Sequence, residues 1–396
     1  MLLSAMGNGL RITFVMLAQP PKPNSSGLAA VDACRSGELL ACAFATWLPQ
    51  INPASSNAAV LLDCGAERND APGVPASWTA ALTATATVRC LWGGVCERFM
   101  NDTRFSLQCS RGTINLLQWL HDDFSATDYF VKVDTDAMLR PLAVEAYVHS
   151  LALEAAAAQL DAKRTVVYAG NNLHTWLFQH CEGVRVKGKS SCSDHGRPCG
   201  KLVCLRSTEQ WKQLEQTIRP KPPVSLLGMS DASFGGSAGS AAAGSAAAAA
   251  FGAEHLRASN RSRIAVGYAQ GGTYVLSRGA ISAMVRQECV QRVGRVPCAG
   301  WSRLDPTGCE HSPRHEDAAV GLCAHLLGGL HRIEQRCFVR YVKEAHFCHG
   351  ELLALHPLKV PSLYLREWAA HGKVRDTAGD AAAHQGKGTV QVAHRH

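Results

Sequence analysis

No run of five or more basic residues occurs anywhere in the 396-residue chain, although its formal charge is +8 and its sequence pI is near 8.8. Lys and Arg scattered in this way do not make a nucleic-acid surface, so no nucleic acid is expected as a partner. Also missing is any apolar stretch of the ~20 residues that a bilayer-spanning helix needs. The best run near the start, residues 10–18, is half that length and reads as a strand. None of the sixteen cysteines forms a Cys-x-x-Cys pair. They lie along the whole chain, which leaves two readings: disulfides in an oxidising compartment, or buried thiols and stray metal ligands in the cytosol. His315 and Glu316 open like a zinc-protease helix, but position 319 is Ala, so the second histidine of H-E-x-x-H is absent.

What the chain does have is an ordinary globular composition, with 46% hydrophobic and 18% charged residues, enough for a full core in one large domain or two. Sequons begin at Asn24, Asn101 and Asn260 and favour the secretory, lumenal reading of the cysteines. The run at 58–63 ends in Cys64 and Gly65, as a strand does at a βα junction. Residues 105–121 carry Leu107, Ile114, Leu117 and Leu120 at mostly helical spacing, and 129–133 is a short aromatic and β-branched run. Residues 142–160 are good helix formers, and 165–169 is again β-rich. Strands alternating with helices predict an α/β fold whose mostly parallel sheet has helices on both faces.

From 230 to 252 the sequence collapses into Ala, Gly and Ser, which reads as a flexible insertion, with a short Ala-rich helix as its alternative. Cys181, Cys192, Cys199 and Cys204, with His180 and His195, form the densest thiol cluster. Its spacing fits no common zinc pattern, so a disulfide-closed loop is the better reading.

The chemistry centres on Asp134, Thr135 and Asp136, where the strand over 129–133 ends and no helix has begun. Side chains at the carboxyl end of such a strand face the crevice in which open α/β sheets bind ligands. Two carboxylates flanking one residue suit Mn²⁺ or Mg²⁺, which can bridge them to a diphosphate. An Asp-rich turn or helix cap would look the same in isolation.

Four blocks in order resemble glycosyltransferase family 31, the inverting β-1,3-galactosyl- and N-acetylglucosaminyltransferases: YFVKVDTDAML (129–139), GYAQGGTYVLSRGAI (267–281), HEDAAVGLC (315–323) and CFVRYVKEAHFCHGELLALHPLKVPSLYLREW (337–368). ATWLPQ (45–50) and NDTRFSLQCSRGTINLLQWL (101–120) are fainter matches. In the second, Gly112 stands where the family has Lys, and Arg111 is the nearest basic residue. The resemblance implies the GT-A nucleotide-diphospho-sugar transferase fold. Residues 1–229 would be the nucleotide-sugar-binding half, 230–260 the insertion, 261–370 the acceptor and catalytic-base half, and 371–396 a disordered tail.

It further implies that Asp134, Asp136 and His356 hold the metal, with His346 and His349 as the shifted alternatives to His356. Asp134, Thr135, Asp136, Gly271, Gly272 and Tyr274 would shape the donor site. Asp317 would be the base that takes the acceptor hydroxyl's proton, with Glu316 orienting it; without the resemblance, the acidic pair reads as a dipole-stabilised helix start. UDP-galactose or UDP-N-acetylglucosamine would be the donor, and a glycan or glycoprotein the acceptor. The family's setting is the Golgi lumen, with a type II membrane anchor that this sequence does not show. Rival readings are a fringe or core-1 type transferase, a catalytically silent relative acting as a chaperone or glycan-binding protein, and an unrelated Cys/His metal protein.

Overall fold

The computed structural model describes residues 9–25, 27–63, 74–79, 86–91, 104–158, 160–161, 163–171, 174–180, 199–205, 263–269, 272–294, 316–332, 337–339, 348 and 352–372. The Ala/Gly/Ser insertion, the tail from 373, Asn101, Asn260, Gly271, His346, His349 and, of the thiol cluster, Cys181, Cys192 and His195 lie outside them.

The frame is a seven-stranded sheet. Within it β1 (Ile12–Ala18) is flanked in parallel by β2 (Ser56–Asp63) and β4 (Tyr129–Asp134), the middle strand, with β3 (Ala86–Leu91) parallel to β2 at one edge. Beyond β4 lies β10 (Thr273–Ser277), antiparallel to β4 and to β6 (Val167–Gly170), and β11 (Leu330–Arg332) closes the other edge parallel to β6. The expected mostly parallel α/β sheet is therefore present, with β10 reversed within it.

The sequence ITFVMLA makes a central strand because it is apolar on both faces, and both faces are covered. Phe14 and Met16 pack with α1 (Ala30–Arg35), α2 (Leu39–Ala45), α5 (Pro141–Ala157) and α9 (Pro361–Glu367). Val15 packs on the opposite layer, made by α4 (Arg104–Asp123), α6 (Arg278–Arg286), α7 (Cys289–Gly294) and α8 (Glu316–Leu327). Each fully buried large aliphatic or aromatic side chain contributes about 1.5–3 kcal/mol relative to an exposed one. The elements start where local chemistry allows. Pro141 opens α5 and Pro361 opens α9, where a missing N–H costs no helical bond, and the Ser277 hydroxyl accepts from the Ala280 N–H at 3.1 Å to cap α6.

Two smaller sheets complete the fold. One joins β7 (His174–His180) with β8 (Cys199–Leu205) and β9 (Arg263–Tyr268); α3 (Ala76–Thr79) packs separately, through Trp78, against α2. The other joins β5 (Met138–Leu139), β12 (Phe338–Val339) and β13 (Ala354–Leu355). Disulfides join Cys34 to Cys42, Cys289 to Cys323 and Cys337 to Cys348 among the described residues. His371 and Gly372 belong to a last helical turn, Trp368–Gly372. No helix among the described residues is long and apolar enough to cross a membrane.

Candidate metal centre

The carboxyl ends of β1, β2 and β4 share one edge of the large sheet, and Asp134 is the last residue of β4. The chain turns at once, with the Ala137 N–H donating to the Asp134 carbonyl at 3.0 Å, and so holds Thr135 and Asp136, both half-buried, over that edge.

His356 reaches the same place from the far end of the chain because the closing segment is laced to the Asp turn. β13 pairs with β5, setting Ala354 opposite Leu139 and Leu355 opposite Met138. The Arg140 N–H donates to the Leu353 carbonyl at 3.0 Å and the Leu358 N–H to the Asp136 carbonyl at 2.7 Å. Tyr364 of α9, fully buried, donates its hydroxyl to the Ala137 carbonyl at 2.9 Å and accepts from the Trp47 indole N–H at 3.0 Å. Burial pushes the Tyr364 phenol well up, so it remains a donor. Trp47, from the ATWLPQ block, thus acts as a support for the closing segment. Cys337–Cys348 ties the start of that segment together.

His356 Nε2 lies 3.1 Å from Asp136 Oδ1 and 3.6 Å from Asp134 Oδ2, and one ligand atom of each of the three residues falls within 4.8 Å of the others. Around one small divalent ion, neighbouring ligand atoms sit about 3 Å apart and opposite ones about 4.2 Å apart, from bond lengths near 2.1 Å. Two hard carboxylate oxygens and an imidazole nitrogen at such separations fit Mn²⁺ or Mg²⁺. His356 Nδ1 is buried with no hydrogen-bond partner among the described residues.

Gly272 makes room for this cluster. A Cβ there would stand 2.6 Å from His356 Cδ2 and 3.0 Å from Asp134 Cβ, while its own carbonyl accepts from the Asp134 N–H at 2.7 Å. The need for a glycine at this position is therefore steric. Tyr274 sits deeper: its ring is 2% exposed, edge-on to Tyr168, and lies beneath the ammonium of Lys132, 5.4 Å from the ring centroid.

Lys132 is the functional residue that sequence reasoning passed over. It is 5% exposed, and its ammonium donates to Asp134 Oδ1. Burial pushes the Asp134 carboxyl upward, but the Lys132 and His356 charges and the Lys132 hydrogen bond outweigh it, holding Asp134 below its ordinary value. The signal in the sequence was a lysine within an otherwise apolar strand, two residues before Asp134 and so on the same face.

Glu316 and Asp317 begin α8. That helix ends at a turn whose Gly328 and Gly329 take positive φ, and β11 then starts level with Val167, the first residue of β6. The helix therefore returns toward the opposite edge of the sheet, and its amino end points to the edge that carries Asp134. Gly321 sets it close: a Cβ there would stand 2.2 Å from Tyr268 Cβ and 3.2 Å from the Tyr168 hydroxyl. Asp317 is half-buried. His180, Cys199 and Cys204 fall on β7 and β8, in a sheet separate from this edge.

No family model matches the chain, and no curated protein matches it. Among solved structures it is similar to the apo crystal structure of mouse xyloside xylosyltransferase 1, at 9% identity and a TM-score of 0.36, over 87% of this chain and 97% of that one. A likeness that loose carries no argument about fold family or activity.

Proposed function

We propose that the chain is a metal-dependent inverting glycosyltransferase of the GT-A type, similar to glycosyltransferase family 31. It moves galactose or N-acetylglucosamine from a UDP-sugar to a hydroxyl of a glycan or glycoprotein, in β-1,3 linkage. The observation that carries this reading is the convergence of Asp134, Asp136 and His356 at the carboxyl edge of β4. The family resemblance expected these three residues together, although His356 lies in a different block of the sequence from the two aspartates.

When bound, Mn²⁺ or Mg²⁺ held by these three residues supplies Lewis acidity to the departing diphosphate. Thr135, Gly271, Gly272 and Tyr274 complete the donor site, Gly272 by leaving space and Tyr274 by supporting Lys132. Asp317, at the amino end of α8, takes the proton of the acceptor hydroxyl. That oxygen forms a bond to the anomeric carbon, and the bond from this carbon to the diphosphate oxygen breaks on the opposite face, with its electron pair leaving on UDP. Glu316 orients the acceptor. The disulfides and sequons support an oxidising, lumenal compartment, with the Golgi as the setting by resemblance.

The test is UDP release from a panel of UDP-sugars, with Mn²⁺ or with chelator, by the native chain and by Asp136→Ala and Asp317→Ala. Metal-dependent release from one donor, lost in both variants, would establish the transferase and name its sugar. Absence of cleavage together with absence of UDP binding in Mn²⁺ by calorimetry would sink it. The catalytically silent chaperone or glycan-binding relative would then be the better description.

A further inference from the structure

Lys132 is placed on β4 directly opposite Tyr274 of β10, on the same face of the sheet as Asp134. Three observations fix its ammonium there. The side chain is 7% exposed, it donates to Asp134 Oδ1, and it lies over the Tyr274 ring at 5.4 Å. The ring face favours a cation in just this position. A buried ammonium is costly without such partners, so the lysine does not simply swing out to water.

The two oxygens of Asp134 are therefore not equivalent. Oδ1 accepts from Lys132, and Oδ2 is the one that faces His356. The carboxylates of Asp134 and Asp136 and the ammonium of Lys132 together carry a single net negative charge. We infer that Lys132 is a built-in counter-ion and positioning residue. It takes one oxygen of Asp134, leaves the other for the cation, and keeps the affinity of the centre for a divalent ion alone low, so that an anionic co-ligand has to supply the missing charge. A site of two free carboxylates would hold the ion with or without its substrate; this one loads fully only with a diphosphate present. The diphosphate part of this inference rests on the donor assignment proposed above, whereas the effect of Lys132 on the bare ion does not.

Even at the dielectric constant of water, one unit charge a few ångström from a dication alters its binding by about tenfold. The experiment titrates Mn²⁺ alone into the native chain, Lys132→Met and Lys132→Arg, following free Mn²⁺ by its electron paramagnetic resonance signal, and repeats the titration with saturating UDP. Lys132→Met is expected to bind Mn²⁺ alone at least about tenfold more tightly than native, and to gain less from UDP. Lys132→Arg, which keeps the charge, is expected to stay close to native. A Met variant with native circular dichroism that binds Mn²⁺ no more tightly than native overturns the inference. If the Met variant does not fold, Lys132→Gln decides in the same way, and loss of the fold in both neutral variants overturns the inference in favour of a lysine that serves only the core. If Lys132→Met tightens Mn²⁺ binding while UDP changes nothing in any protein, the counter-ion role stands and the nucleotide-sugar reading fails.

Discussion

Replacing Gly272 by Ala should damage the metal centre while leaving most of the fold intact. The backbone at Gly272 lies outside the left-handed region, so Ala is allowed there and its methyl group is the whole perturbation. That methyl would stand 2.6 Å from His356 Cδ2, 2.9 Å from His356 Cγ and 3.0 Å from Asp134 Cβ. Carbon atoms in good contact are about 3.5–4.0 Å apart, so something must move by about 1 Å. The Asp134 side is held by its N–H bond to the Gly272 carbonyl, and the His356 backbone by β13 and by the Leu358 N–H bond to Asp136. The His356 ring is the freer of the two and gives way. Overpacking of this kind costs about 1–3 kcal/mol of stability. Displacing the ring should lower Mn²⁺ affinity by about 10–100-fold, and a misplacement of about 1 Å lowers turnover by about 100-fold. Gly27→Ala, where an added Cβ meets nothing within 4 Å, is the control. Calorimetric Mn²⁺ titration and thermal unfolding of both variants check it. A folded Gly272→Ala chain with native Mn²⁺ affinity would refute the steric reasoning.

Tyr364→Phe strands the Trp47 N–H and the Ala137 carbonyl in the core; at about 1–3 kcal/mol for each unpaired group, urea unfolding should show a loss of about 2–6 kcal/mol, with weakened metal binding. Gly321→Ala pushes α8 off Tyr268, so turnover should fall in the UDP-release assay while Mn²⁺ affinity stays close to native. Burial holds His331 below its ordinary value of 6.5, outweighing its bonds to the Ala324 and Gly328 carbonyls. As pH falls below about 6.5 the unfolded chain takes up that proton first. Its contribution to stability is thus complete above that pH and lost as pH falls through the folded value. Urea midpoints measured from pH 7.5 to 5.5 should fall more steeply for the native chain than for His331→Gln, and equal slopes would count against the assignment.

Much of the frame could be read from the chain because its central strands are buried on both faces and are therefore apolar throughout. The runs at 10–18, 58–63 and 129–133 correspond to β1, β2 and β4, and the stretches 105–121 and 142–160 to α4 and α5. The reversal of β10 was not legible, since an apolar pentapeptide such as TYVLS reads the same in either direction. The GYAQGGTYVLS block divides between two sheets, β9 in one and β10 in the other, which its continuous β-rich pattern gave no sign of. β5, β12 and β13 are two-residue strands, too short to show any period. At the site, the Asp turn was visible from its place at a strand end, and His356 only from the resemblance, because a lone histidine before a proline has no local pattern. Lys132 was overlooked for a different reason. Its partner Tyr274 is distant in sequence, and only strand pairing brings the two together.

The lacing of the closing segment onto the Asp turn also sets an order of events during synthesis. Asp134 and Asp136 leave the ribosome more than two hundred residues before His356 and Tyr364. Until those last residues arrive, the carboxylates have neither His356 beside them nor the hydrogen bonds from Leu358 and Tyr364 that fix their turn. A chain interrupted before β13 would keep the strands of the large sheet and α1 to α8 yet lack the complete cluster. On the proposed function, retention of a divalent ion together with UDP is therefore a direct readout of whether a molecule has been made and folded through to α9.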